Sequence, residues 1–91
     1  YAMAEAPTDV TLYPNPVRDR SSLALSLTEA ADVRADVFDT LGRHVATVDG
    51  GRLGTGFQSL ALDLTGAPAG VYVVRVAIGD AVVTRTLTVV R

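Results

Sequence analysis

Hydrolytic chemistry of the serine type needs a nucleophile, a base and an orienting acid within reach of one another. This sequence offers one histidine, His44. It lies in an alternating stretch beside a turn, and no Gly-x-Ser-x-Gly accompanies it. An exposed strand position is the favoured reading. Paired carboxylates for glycoside hydrolysis need a cleft between them. The ten acidic residues fall mostly on turns or outward positions, and so short a chain leaves little room for a cleft.

Metal and phosphate chemistry fare no better. Asp39, Asp49 and Asp80 could meet in loops at one end of a domain, where oxygen ligands take calcium. No Asp-x-Asp-x-Asp-Gly run is present, and Asp that caps local backbone in turns is the favoured reading. The glycine-rich stretch Gly50–Gly56 lacks the Lys-Ser/Thr ending and the helix that a phosphate cradle requires. It reads as a flexible hairpin connection. A sugar platform needs exposed aromatic pairs. Among Tyr13, Phe38, Phe57 and Tyr72, Tyr72 alternates with valines and reads as core. Phe38 lies on the polar face of its strand and reads as partly exposed. The residues thus point to no catalytic, cofactor or metal site.

Composition agrees. The chain has 91 residues, enough for one domain, and 48% of them are apolar, too many for a disordered tail. Cysteine is absent, which excludes disulfides and thiolate sites. All eight basic residues are Arg and the net charge is −2. The Arg are spread along the chain, so a basic nucleic-acid patch is not expected. No apolar run reaches the ~18 residues of a membrane helix. No signal-peptide pattern opens the sequence; for a secreted parent that peptide is expected outside it. Tyr1-Ala2-Met3-Ala4 reads as an expression scar or linker remnant.

The elements that would position these residues are strands. Residues 1–9 are unpatterned, and the linker is drawn over 1–11 with the domain over 12–91. Val10–Tyr13 is a short first strand, stopped by Pro14 and Pro16. Leucines at 23, 25 and 27 alternate with small residues as a second strand. Val33–Phe38 and Val45–Val48 form a hairpin around Asp39-Thr40-Leu41-Gly42-Arg43, with Gly42 at positive φ. The segment 49–56 is expected to be the longest loop. Leu60, Leu62 and Leu64 mark a fifth strand, and Val71–Ile78 a sixth. Gly79-Asp80 is a hairpin signal, followed by Ala81–Val90 with its threonine row Thr84, Thr86 and Thr88. Thr28–Asp32 is too short for a stable helix and reads as a turn. The pattern predicts an all-β fold, an immunoglobulin-like antiparallel β-sandwich of about seven strands, without the Cys–Trp–Cys core of antibody domains.

Several motifs occur in order: Tyr13-Pro14-Asn15-Pro16; Asp39-Thr40-Leu41-Gly42-Arg43; Pro68-Ala69-Gly70-Val71-Tyr72-Val73-Val74-Arg75-Val76; and a closing Thr84–Arg91 strand. Together they resemble the type A C-terminal sorting domain of type IX (Por) secretion-system substrates from Bacteroidetes-type bacteria, over about residues 12–91. The resemblance marks Pro14, Asn15 and Pro16 as the opening motif. Asp39, Gly42 and Arg43 mark the hairpin turn, and Pro68, Gly70, Tyr72 and Arg75 the penultimate strand. Arg91 takes the terminal basic position, where the family often has Lys; the charge is kept and the hydrogen-bond geometry changes.

The resemblance implies a non-catalytic address label behind a cargo domain in the same chain. Such a label passes through the periplasm to an outer-membrane translocon, and the cargo ends at the cell surface or outside. A surface sortase would remove the label by a cut within residues 1–11. Pro14 and Pro16 are then expected to be rigid boundary residues that leave the fold intact after that cut. Strands Val71–Ile78 and Ala81–Val90 are expected to form the surface the translocon reads, because a terminal edge strand pairs with partners. The same edge offers self-association. The competing reading is a fibronectin-III-like or carbohydrate-binding spacer module of a secreted enzyme. Neither reading calls for a cofactor, nucleic acid or a membrane span.

Overall fold

The computed structural model describes residues 10–91, so the linker reading over residues 1–9 lies outside the described residues. Seven strands follow in order: β1 (Val10–Tyr13), β2 (Arg20–Leu27), β3 (Ala31–Asp39), β4 (His44–Leu53), β5 (Gly56–Asp63), β6 (Gly70–Ile78) and β7 (Ala81–Val89). Val10 and Thr11, which the sequence reading places in the linker over 1–11, belong to β1. Antiparallel pairing gives a three-stranded sheet in the order β1-β2-β5 and a four-stranded sheet in the order β4-β3-β6-β7. This is the expected all-β, immunoglobulin-like sandwich. The fourth strand extends the sheet of the third, sixth and seventh, as the added strands of variable-type domains do.

Period-2 alternation builds the core. Leu23, Leu25 and Leu27 of β2 face Val33, Ala35 and Val37 of β3 and Tyr72, Val74, Val76 and Ile78 of β6 across the two sheets, and all are buried. Leu62, Leu64, Leu87 and Val89 complete the layer. Burying each such aliphatic side chain contributes about 1.5–3 kcal/mol before chain entropy is charged against it. Thr28-Glu29-Ala30 joins β2 to β3 without a helix. Gly42 takes positive φ in the β3–β4 turn, as the sequence predicts, and Gly79 does so in the β6–β7 hairpin turn.

One expectation fails. Residues 49–53 are not loop: β4 continues to Leu53, with Gly51 opposite Val33, Arg52 opposite Asp32 and Leu53 opposite Ala31. A register shift falls between Val33 and Arg34. The glycines here serve close packing as well as turning. A Cβ on Gly50 would stand 3.1 Å from both methyls of Leu60 on β5 and 3.4 Å from the Val33 carbonyl. Glycine lets β4 pass beneath β5 at that point.

Candidate functional site

The chain reversals divide between two poles. One pole holds the β2–β3, β4–β5 and β6–β7 turns. The other holds residues 14–19, the β3–β4 turn, the β5–β6 corner and the end of β7. Ten of the eleven motif residues lie at this second pole or on its seams. Arg75 stands apart, exposed on β6 with Asp36 of β3 and Thr84 of β7 as neighbours in register.

The Pro-Asn-Pro segment runs beside β7. Both prolines follow cis peptide bonds. The Asn15 side chain donates from Nδ2 to the Thr86 carbonyl at 3.1 Å and accepts the Thr88 N–H on Oδ1 at 3.1 Å. Val17 continues the pairing with backbone: its N–H donates to the Thr88 carbonyl and its carbonyl accepts the Val90 N–H, each at 2.8 Å. The two residues form one parallel strap along the outer side of β7, and the Val17 side chain is buried. Ser21, the one buried polar residue among those described, donates to the Pro14 carbonyl at 3.2 Å. The strap is thereby tied to β2 in one sheet and β7 in the other.

This changes the edge expectation. β7 is indeed an edge strand. Its outward backbone groups from the Thr86 carbonyl to the Val90 N–H are nevertheless satisfied within the chain. Arg85 further ties β7 to β1 by donating from Nε to the Val10 carbonyl at 2.9 Å. The strap covers the edge that would otherwise pair with a partner strand.

The β3–β4 turn is held by one carboxylate. Asp39 Oδ1 accepts the N–H groups of Leu41 and Arg43, each at 2.9 Å, and Oδ2 accepts Arg43 Nε at 2.8 Å. Backbone bonds link Asp39 with Gly42 and Arg43 as well. These donors, the Arg43 N–H foremost, hold the Asp39 carboxyl below its ordinary 3.8 against the opposing effect of desolvation.

The β5–β6 corner is held by Tyr72 and Arg91. The Tyr72 hydroxyl donates to the Pro68 carbonyl, four residues upstream, at 2.5 Å. This has the form of the tyrosine corner of immunoglobulin-like domains. Arg91 reaches across from the end of β7. Its Nε and Nη2 donate to the Ala67 carbonyl at 2.9 and 2.6 Å, and Nη2 also reaches the Leu64 carbonyl at 2.9 Å. Nη1 meets Asp19 Oδ1 at 2.7 Å. A planar guanidinium can serve three acceptors in this way, and an ammonium cannot match the fork.

The remaining chemistry-bearing residues form ties of the same kind. His44 begins β4 and is exposed; its Nε2 lies 3.1 Å from Asp36 Oδ1 and 2.6 Å from Thr47 Oγ1. The Thr47 hydroxyl donates to Asp36 at 2.7 Å, so His44, Thr47 and Asp36 form one exposed polar tie between β3 and β4. The Thr47 hydroxyl is the main cause of a lowered Asp36 carboxyl, with His44 and Arg34 adding to it against burial. Phe38 is half-buried, edge-on to the His44 ring at 5.5 Å. Asp39, Asp49 and Asp80 do not meet. Asp49 lies within β4, where its carboxylate accepts the Gly51 N–H at 3.0 Å, and Asp80 turns the chain at the opposite pole from Asp39. No helix among the described residues is long and apolar enough to cross a membrane.

The fold and its pole therefore define an immunoglobulin-like β-sandwich whose marked residues fix turns and seams. Residues 11–90 match the family described as the secretion system C-terminal sorting domain, and the chain belongs to that family, the sorting domains of type IX secretion. The family is one of sorting signals rather than enzymes, and it implies export to the cell surface or beyond. The fold is also similar to that in the crystal structure of dimeric latent PorU from Porphyromonas gingivalis, with a TM-score of 0.71 and 21% sequence identity. That likeness covers 97% of this chain and 10% of the PorU chain, so this chain spans about a tenth of that relative's length. Comparison with curated proteins gives no match.

Proposed function

We propose that this domain is the export address of a cargo protein in the same polypeptide. It passes through the periplasm, is read by the outer-membrane translocon, and is removed by a surface sortase within the expected 1–11 window, at a bond in the part that precedes β1, residues 1–9. The family match across residues 11–90 carries this reading. The fold supports it in a second way. The motif residues of four distant segments, Arg75 apart, tie one pole together. Because the strap covers much of the outer side of β7, recognition is assigned to the pole and the sheet face beside it rather than to a bare strand edge. Pro14 and Pro16 lie within the strap, inside the domain boundary, so a cut upstream leaves every seam intact.

The test is a folded reporter joined to residues 1–91 in a host with a working type IX system. The expected product is extracellular reporter whose mass shows loss of the domain, with its new C-terminus within residues 1–9. Extracellular reporter that keeps the whole domain would remove the sortase step from the account. Reporter that stays inside the cell would remove the sorting function.

A further inference from the structure

The turn at 39–43 and the corner at 68–72 meet across a cleft of about 270 Å³, lined by Asp39, Leu41, Arg43, Val45, Val71 and Tyr72 among others. Its walls are rigid for separate reasons, the Asp39 carboxylate on one side and the Tyr72 hydroxyl on the other. Its rim is nevertheless apolar: Leu41 is 76% exposed, Val71 46% and Val45 39%. Single exposed apolar side chains are ordinary, whereas three around one concavity mark a contact surface. Leu41 in particular is held out into solvent on a turn whose Leu41, Gly42 and Arg43 N–H groups are all bonded to Asp39. Beside it, Arg43 spends only Nε on Asp39; its two Nη groups make no hydrogen bond among the described residues. A guanidinium with two unspent donor groups suits a carboxylate.

We propose that this cleft binds a protein segment that presents an apolar side chain next to a carboxylate, the apolar group seated between Leu41 and Val71 and the carboxylate on Arg43 Nη. The inference rests on the sorting-signal reading and names the chemistry of the partner that reads the pole. Because both walls are preformed, little ordering cost is charged to binding.

Export of a reporter joined to residues 1–91 tests it, with thermal unfolding run on every purified variant. L41D and R43Q should each lower export about tenfold, the loss that one interface hot spot carries. L41M keeps an apolar side chain and should lower export less than L41D does. F57D places the same charge on a residue 73% exposed at the opposite pole, and it should export normally. Normal export of L41D overturns the proposal. Loss with L41D but not R43Q overturns the carboxylate. Equal loss with F57D shows an effect of charge alone and overturns the site. A concentration-dependent dimer of the purified domain that L41D dissolves would make a second copy the occupant and overturn the assigned partner. Failure of the unaltered fusion to leave the cell is a different result: it removes the sorting reading, and this inference with it.

Discussion

The Asn15 side chain pairs with Thr88 as a strand would, its Oδ1 accepting the Thr88 N–H while Nδ2 reaches the Thr86 carbonyl. An amide side chain carries the same donor and acceptor as a peptide unit, so one residue can close part of a sheet edge. N15A removes both bonds at a solvent-exposed seam. It should lower unfolding free energy by about 1 kcal/mol, at unchanged denaturant slope. N15D keeps an acceptor for Thr88 but turns a carboxylate oxygen toward the Thr86 carbonyl, and should cost at least as much. The freed edge should also self-associate, which sedimentation at rising concentration will register.

Arg91 secures the β5–β6 corner from the far end of β7. R91A leaves the part-buried Ala67 carbonyl without its donor and leaves the Leu64 carbonyl with the Ala67 N–H alone, and it should cost about 1–3 kcal/mol. R91K should fall between R91A and the unaltered chain, because one ammonium cannot reproduce the fork. Urea unfolding of the three proteins checks the order, and a Lys variant equal to Arg would show that charge alone matters.

Tyr72 separates the ring from its hydroxyl. The ring is in the core, while the hydroxyl serves only Pro68. Y72F should therefore cost about 1 kcal/mol, the net worth of one hydrogen bond. Y72A should cost about 3–5 kcal/mol through the lost ring. Near-equal losses in thermal unfolding would mean that the corner bond, and not the packing, dominates.

Acid should loosen the β3–β4 turn. The Asp39 carboxyl sits below its ordinary 3.8 in the folded chain. Its contribution is complete above that value and is lost as pH falls through it toward the folded one. D39N removes this protonation. Denaturant midpoints followed from about pH 7 down to about pH 2.5 should show D39N less stable at the neutral end and less steeply destabilised by acid. The acid limb should persist in part, because Asp36 and Asp63 are lowered as well. An unchanged limb in D39N would place the pH dependence elsewhere.

The strands were legible because two faces impose a two-residue period. Leu23, Leu25 and Leu27 or Tyr72, Val74 and Val76 announce a buried face on their own. The extension of β4 was not, since Gly50 and Gly51 show no side-chain alternation; only the packing of Leu60 over Gly50 explains them. The Asn15 and Arg91 contacts were hidden for another reason. They join residues 71 to 73 positions apart for Asn15 and 24 to 72 apart for Arg91, and local pattern carries no trace of such pairings. Proline at 14 and 16 signalled a stopped strand, but not that the next residues would lie along β7. The motifs could be read one by one; their gathering at a single pole emerges only from the fold.

Dependence of export on the type IX translocon decides whether residues 1–91 carry an export address. A folded reporter joined to the unaltered domain is expressed in two strains that differ only in the type IX translocon, and reporter outside the cell is measured against reporter within. Extracellular reporter is expected in the competent strain and retention in the other. Equal distribution in the two strains, whether all inside or all outside, would overturn the sorting function.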